Sequence, residues 1–113
     1  MIQEELNKLV IVFFENIQKY YGSKTEITEG ISLDNQCFDS KLTTWNLFEF
    51  DLIRSAYREN GKKFMIEGIG NYYEISALNV IDFQKLGRNK FQFIEKYGNS
   101  VFRITKLRFH YKY

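Results

Sequence analysis

Hydrophobic positions along the chain change period once, after about twenty residues. Ile2, Leu6, Leu9, Val10, Phe13, Ile17 and Tyr20 recur in steps of three and four, which predicts one face of an α-helix over 2–21. Val12 and Phe14 widen that stripe, as expected of a helix well covered by a sheet. Glu4 and Glu5 stand where the helix dipole favours negative charge, and Gly22 is placed to end the helix. From Thr25 the period falls to two: Ile27, Ile31 and Leu33 lie on one side, Thr28 and Ser32 on the other, which predicts a strand over 25–33. Residues 34–41 read as an exposed loop rich in Asp, Asn and Ser.

Residues 42–58 fit two patterns. Trp45, Phe48, Leu52 and Ala56 suit a helix, and Phe48, Phe50 and Leu52 suit a strand. Asn60–Gly61, a strong hairpin signal, decides for a long hairpin. It sets Tyr57 against Phe64, Ala56 against Met65 and Arg54 against Glu67, pairs of roughly 0.2–1 kcal/mol each, with Arg58 against Lys63 as the one unfavourable match. Further turns are predicted at Gly70–Asn71, Gly87–Asn89 and Gly98–Asn99. Between Ser76 and Leu86 no period dominates. Phe91, Phe93 and Tyr97 form one alternating face. In the last strand the step of three from Ile104 to Leu107 predicts a β-bulge near Lys106, leaving Arg108, His110 and Lys112 together on the opposite face.

The expectation is a single α+β domain over 1–113: one N-terminal amphipathic helix packed on a curved, mostly antiparallel sheet of five or six strands. In order of elements this is similar to the cystatin-like and nuclear-transport-factor-like α+β rolls. The cystatin Gln-x-Val-x-Gly hairpin is absent, so no protease-binding residues carry over, and the second N-terminal helix usual in transport-factor-like enzymes is not found.

Composition narrows the function without naming it. The 113 residues are 44% hydrophobic, too apolar for disorder, and no run approaches the ~18 apolar residues of a membrane span. A single cysteine, Cys37, allows no intramolecular disulfide and no cysteine zinc cluster. The opening MIQEELNKLV lacks the basic start of an export signal, which predicts a cytoplasmic protein. Net charge is +2, but residues 1–56 carry five basic and nine acidic side chains while residues 57–113 carry eleven and five. Such asymmetry marks either an anionic partner or an acidic element packed beside a basic one.

Catalytic motifs are missing. His110 is the only histidine, nothing in the sequence brings Cys37 to it, and Gly68-Ile69-Gly70 lacks the third glycine of a dinucleotide fingerprint. No cofactor, metal or catalytic residue is assigned. Glu49, Asp51 and Glu67 would serve only if the roll enclosed a pocket. The basic residues from Lys85 onward alternate with aromatics, as in single-strand nucleic-acid binding, but alternation sends the two sets to opposite faces. Twenty aromatics are many for one small core, so some are expected at an interface. The expected function is therefore that of a small non-enzymatic protein that recognises another protein, of the immunity, inhibitor or adaptor kind. The expected partner-binding residues are Trp45, Arg103, Arg108, His110, Tyr111, Lys112 and Tyr113. A pocketed roll acting on a small ligand and a polyanion-binding module are the alternatives, and exposed edge strands allow a homodimer.

Overall fold

The computed structural model describes residues 3–33 and 41–110. Helix α1 (Gln3–Glu15) is followed by a 3-10 turn over Ile17–Tyr20, and eight strands complete the order: β1 (Lys24–Ser32), β2 (Thr43–Asp51), β3 (Arg54–Arg58), β4 (Lys63–Gly68), β5 (Asn71–Ser76), β6 (Val80–Gly87), β7 (Lys90–Tyr97) and β8 (Val101–Phe109). Five strands form one sheet in the order β2-β1-β8-β7-β6, and β3-β4-β5 form a second. Every described pairing is antiparallel. The α+β class read from the sequence is the class observed. No helix among the described residues is long and apolar enough to cross a membrane.

The helix is shorter than its apolar stripe. Asn16 donates from its side chain to the Val12 carbonyl at 2.8 Å, and the chain tightens into the 3-10 turn, so α1 ends at Glu15, six residues short of the predicted end. Gly22 then takes a φ of +89°, the left-handed conformation anticipated for it. Leu6, Val10, Phe13, Phe14, Ile17 and Tyr20 are buried, whereas Leu9 and Val12 are 44% and 53% exposed. The helix rides over the seam between the two sheets. Phe13 meets Phe91 and Phe93 of the larger sheet, and Phe14 stacks on Phe64 of the smaller at 4.4 Å. Tyr20 stacks on Phe109 at 4.0 Å.

The hairpin at Asn60–Gly61 has the anticipated register, Tyr57 opposite Phe64, Ala56 opposite Met65 and Arg54 opposite Glu67. Left-handed φ values fall at Gly61 and Lys62, one residue later than an ideal Asn-Gly turn would place them. The strands leading to it are not one long hairpin. At Leu52–Ile53 the chain leaves the first sheet for the second: Leu52 is fully buried and exchanges backbone bonds with Gly22 and Ser23, while the Ile53 amide donates to the Glu67 carbonyl at 2.8 Å. Residues 43–51 therefore pair with β1 and residues 54–58 with β4, which brings the strands among the described residues to eight.

The bulge expected near Lys106 does not form. Strand β8 keeps an unbroken register with both β1 and β7. Its step of three arises because the strand is covered on both faces. Thr105, Leu107 and Phe109 face the main core, while Phe102 and Ile104 join Ile94 in a separate cluster on the outer face, against Ile81.

Candidate functional site

Alternation along β8 and its neighbours separates the candidate residues into two groups. Positions 103, 105, 107 and 109 look inward, because their partners across β1 and β7 include the buried Ile27, Phe91 and Phe93. Positions 102, 104, 106, 108 and 110 look outward. Arg103 is thus on the face opposite Arg108 and His110. Tyr111, Lys112, Tyr113 and Cys37 lie outside the described residues.

Arg103 sits where the smaller sheet covers the larger. Its Nε and Nη2 donate to the two oxygens of Glu95 at 2.8 and 3.1 Å, its Nη1 to Glu29 at 3.3 Å, and its Nη2 also to the Glu74 carbonyl. The guanidinium lies 4.9 Å from the centre of the Tyr73 ring. Glu95 is fully buried and accepts two further bonds, from the Ser76 amide at 2.8 Å and from the Tyr97 hydroxyl. The Tyr73 hydroxyl is 2.6 Å from that of Thr105 and donates to Glu29. Burial works to lower the basicity of Arg103, but the hydrogen bonds and charge of Glu95 outweigh it and raise its pKa above the usual value. Burial also pushes the Tyr73 and Tyr97 hydroxyls above their ordinary range, helped at Tyr97 by the bond to Glu95. Acid–base catalysis wants a group poised near the working pH. Here the arginine and both tyrosines are held further from it, and the carboxylate's bonds are spent. The cluster is a clasp between the sheets.

The outer face of the larger sheet is different. Trp45 and Leu47 on β2 are 43% and 72% exposed, and both share this face with Lys106 and Arg108 of β8 and Lys90 of β7. Gly30 makes room for the indole. A Cβ there would stand 2.8 Å from both the Trp45 ring and Ile104, so a side chain at 30 would displace one of them. The Lys106 ammonium lies over the indole at 5.6 Å. His110 contacts Glu26 at 2.9 Å through its side chain and Lys24 through its backbone. Trp45, Arg108 and His110 are therefore brought to one face, and Arg103 is not.

The carboxylates considered for a pocket do not line one. Glu49 pairs with Lys24 at 3.2 Å and Glu67 with Arg54 at 2.6 Å, both at the surface, and Asp51 is exposed at the end of β2. Among the described residues no group of His, Cys, Asp or Glu could hold a metal ion. A groove unanticipated from the sequence runs beside α1, between the helix and the β6–β7 hairpin, with Phe13, Phe83 and Phe91 in its floor and Lys19, Lys85 and Arg88 around it. Its parts come from sites some seventy residues apart. The only local signals are the surplus Leu9 and Val12 on the helix and the basic turn at residues 85–88.

No protein-family model matches the chain, and no curated protein or solved structure matches it.

Proposed function

We propose that the protein is a non-enzymatic binding module whose partner is another protein, docking on the outer face of the five-stranded sheet. The observation that carries this is Trp45 beside Leu47, two large apolar side chains left exposed on a sheet face that also presents Lys106 and Arg108. An aromatic anchor within a polar, cationic surround is the usual anatomy of a protein interface. Cations at that rim would steer an acidic partner. The acids Glu26 and Glu49 on the same face, paired with His110 and Lys24, make it a poorer match for a continuous phosphate backbone. An immunity, inhibitor or adaptor role is the specific form of this reading.

The test is capture from the native lysate on tagged protein, with and without nuclease, using wild type and the double variant Trp45→Ala/Leu47→Asp. A stoichiometric protein that survives nuclease and is lost, by at least about tenfold, on the double variant supports the reading. Capture that disappears with nuclease, or that ignores the variant, overturns it.

A further inference from the structure

A second groove lies on the other side of α1, between the helix and the β3–β4 hairpin, and holds about 460 Å³. That falls within the roughly 300–1,000 Å³ of small-molecule sites. Phe14 and Phe64, stacked at 4.4 Å and buried, make its floor. Ile11 on the helix and Tyr57 on β3, whose ring lies 4.7 Å from that of Phe64, carry the apolar walls outward and are 44% and 39% exposed.

Each wall also contributes a carboxylate, Glu15 from the helix and Glu59 from the hairpin, both exposed. Glu15 is the last residue of α1, where the helix dipole disfavours an acid, and no basic residue stands in that turn. Its position works against the helix and adds negative potential to the groove. The cations of the hairpin turn are directed to other places. Arg58 pairs with Glu74, Lys63 stands opposite Arg58 on the outer face of the smaller sheet, and Lys62 lines the adjoining groove beside Asn7 and Leu78.

The backbone of β3 decides what size of ligand fits. The Ser55 amide donates to the Tyr21 hydroxyl at 2.8 Å, so it points away from β4. Alternation along an antiparallel ladder turns the Tyr57 N–H and C=O the same way, toward the helix. At Ser55 the Tyr21 hydroxyl holds the place that an added strand would need, which disfavours an extended peptide. The Tyr57 carbonyl beside the groove suits a compact donor instead.

We infer that this groove binds a small amphipathic amine, its apolar body lying on Phe14, Phe64 and Tyr57 and its ammonium between Glu15 and Glu59. An ammonium carries three donors, which the two carboxylates and the Tyr57 carbonyl can accept. The site is separate from the outer face of the larger sheet and stands whether or not that face docks a protein.

The probe is phenylbutylamine, with phenylbutanol as its neutral analogue, titrated into the full chain and followed by amide-resolved NMR. One molecule of the amine is expected to bind saturably, with a dissociation constant of about 10 μM to 1 mM, and to shift the Tyr57 and Phe64 amides. Phenylbutanol should bind at least about fivefold more weakly. The exposed double change Glu15→Gln/Glu59→Gln should weaken the amine by at least about fivefold and leave the alcohol unchanged. A second variant, Ile11→Ser, should weaken both probes. The dispersion of each spectrum verifies that the variant folds. Trp45→Ala/Leu47→Asp should leave amine binding unchanged, which separates this site from the proposed protein interface. No saturable shift, equal binding of the alcohol, or an amine affinity indifferent to the loss of both carboxylates would overturn the inference.

Discussion

The inner face of the five-stranded sheet is covered in two ways along the same strands. Towards one end, Phe91, Phe93, Leu107 and Phe109 meet the aromatic rings of α1 and the 3-10 turn. Towards the other, a few residues along the same strands, Glu95 and Arg103 meet Tyr73, Ser76 and Glu74 of the smaller sheet. The apolar end is held by area, at about 25 cal/mol per Å² removed from water, and tolerates approximate fits. The polar end is held by completeness: desolvating Glu95 and Arg103 is costly, and only the full set of bonds offsets it. The apolar end accepts an exchange for a side chain of similar volume, whereas at the polar end each partner depends on the others.

Removing one part from each end gives the largest effects. Phe93→Ala should destabilise by about 3–5 kcal/mol through the cavity it leaves. Glu95→Ala should cost a similar 3–5 kcal/mol because it strands a buried guanidinium. The two ends then part company. Glu95→Leu combined with Arg103→Met should cost less than the sum of the single changes by about 1–3 kcal/mol, since each removes the other's unpaired charge. Urea denaturation of the wild type, the two single variants and the double variant measures this, and strict additivity would show that the clasp contributes no coupling.

High pH should strain the polar end selectively. Tyr73 and Tyr97 have pKa values raised above the ordinary 10.0 by burial. The folded state therefore holds protons that the unfolded chain releases. Their contribution is complete below pH about 10 and is lost as pH rises through and beyond it. Stability measured by denaturation should fall steadily above pH 10, and Tyr97→Phe should flatten part of that fall. A profile identical to wild type in Tyr97→Phe would dissociate the tyrosine from the effect. The smallest effect belongs to the surface: Arg54→Ala, which breaks an exposed pair with Glu67, should cost only about 0.2–1 kcal/mol and less still at high salt.

The elements that sequence periodicity described well were those with one buried face and a local turn. Arg54 opposite Glu67 was readable because the Asn60–Gly61 turn fixes the register from within ten residues. Residues 43–58 were not, because nothing in their pattern marks Leu52 as the point of transfer between sheets. That role depends on bonds to Gly22, Ser23 and Glu67. Arg103 is expected from the sequence to act with Arg108 and His110 but lies on the opposite face, which the sequence hides because a strand buried on both sides breaks the simple alternation. Of the expected binding residues, Trp45, Arg108 and His110 share a face as strict alternation requires. The groove was invisible because Lys19 and Lys85 converge only once the helix is laid against β6.

The pairing of β1 with β8 sets an order in time. Strands β3, β4 and β5 join through short turns, so the smaller sheet closes only short loops and can form early. The larger sheet has β8 as its centre, hydrogen-bonded to β1 some seventy residues earlier. Until that closure is made, β1–β2 and β6–β7 are two separate ribbons with nothing between them. The face that carries Trp45 gains Lys106 and Arg108, and the sheet that receives α1 becomes continuous, only once β8 is in place.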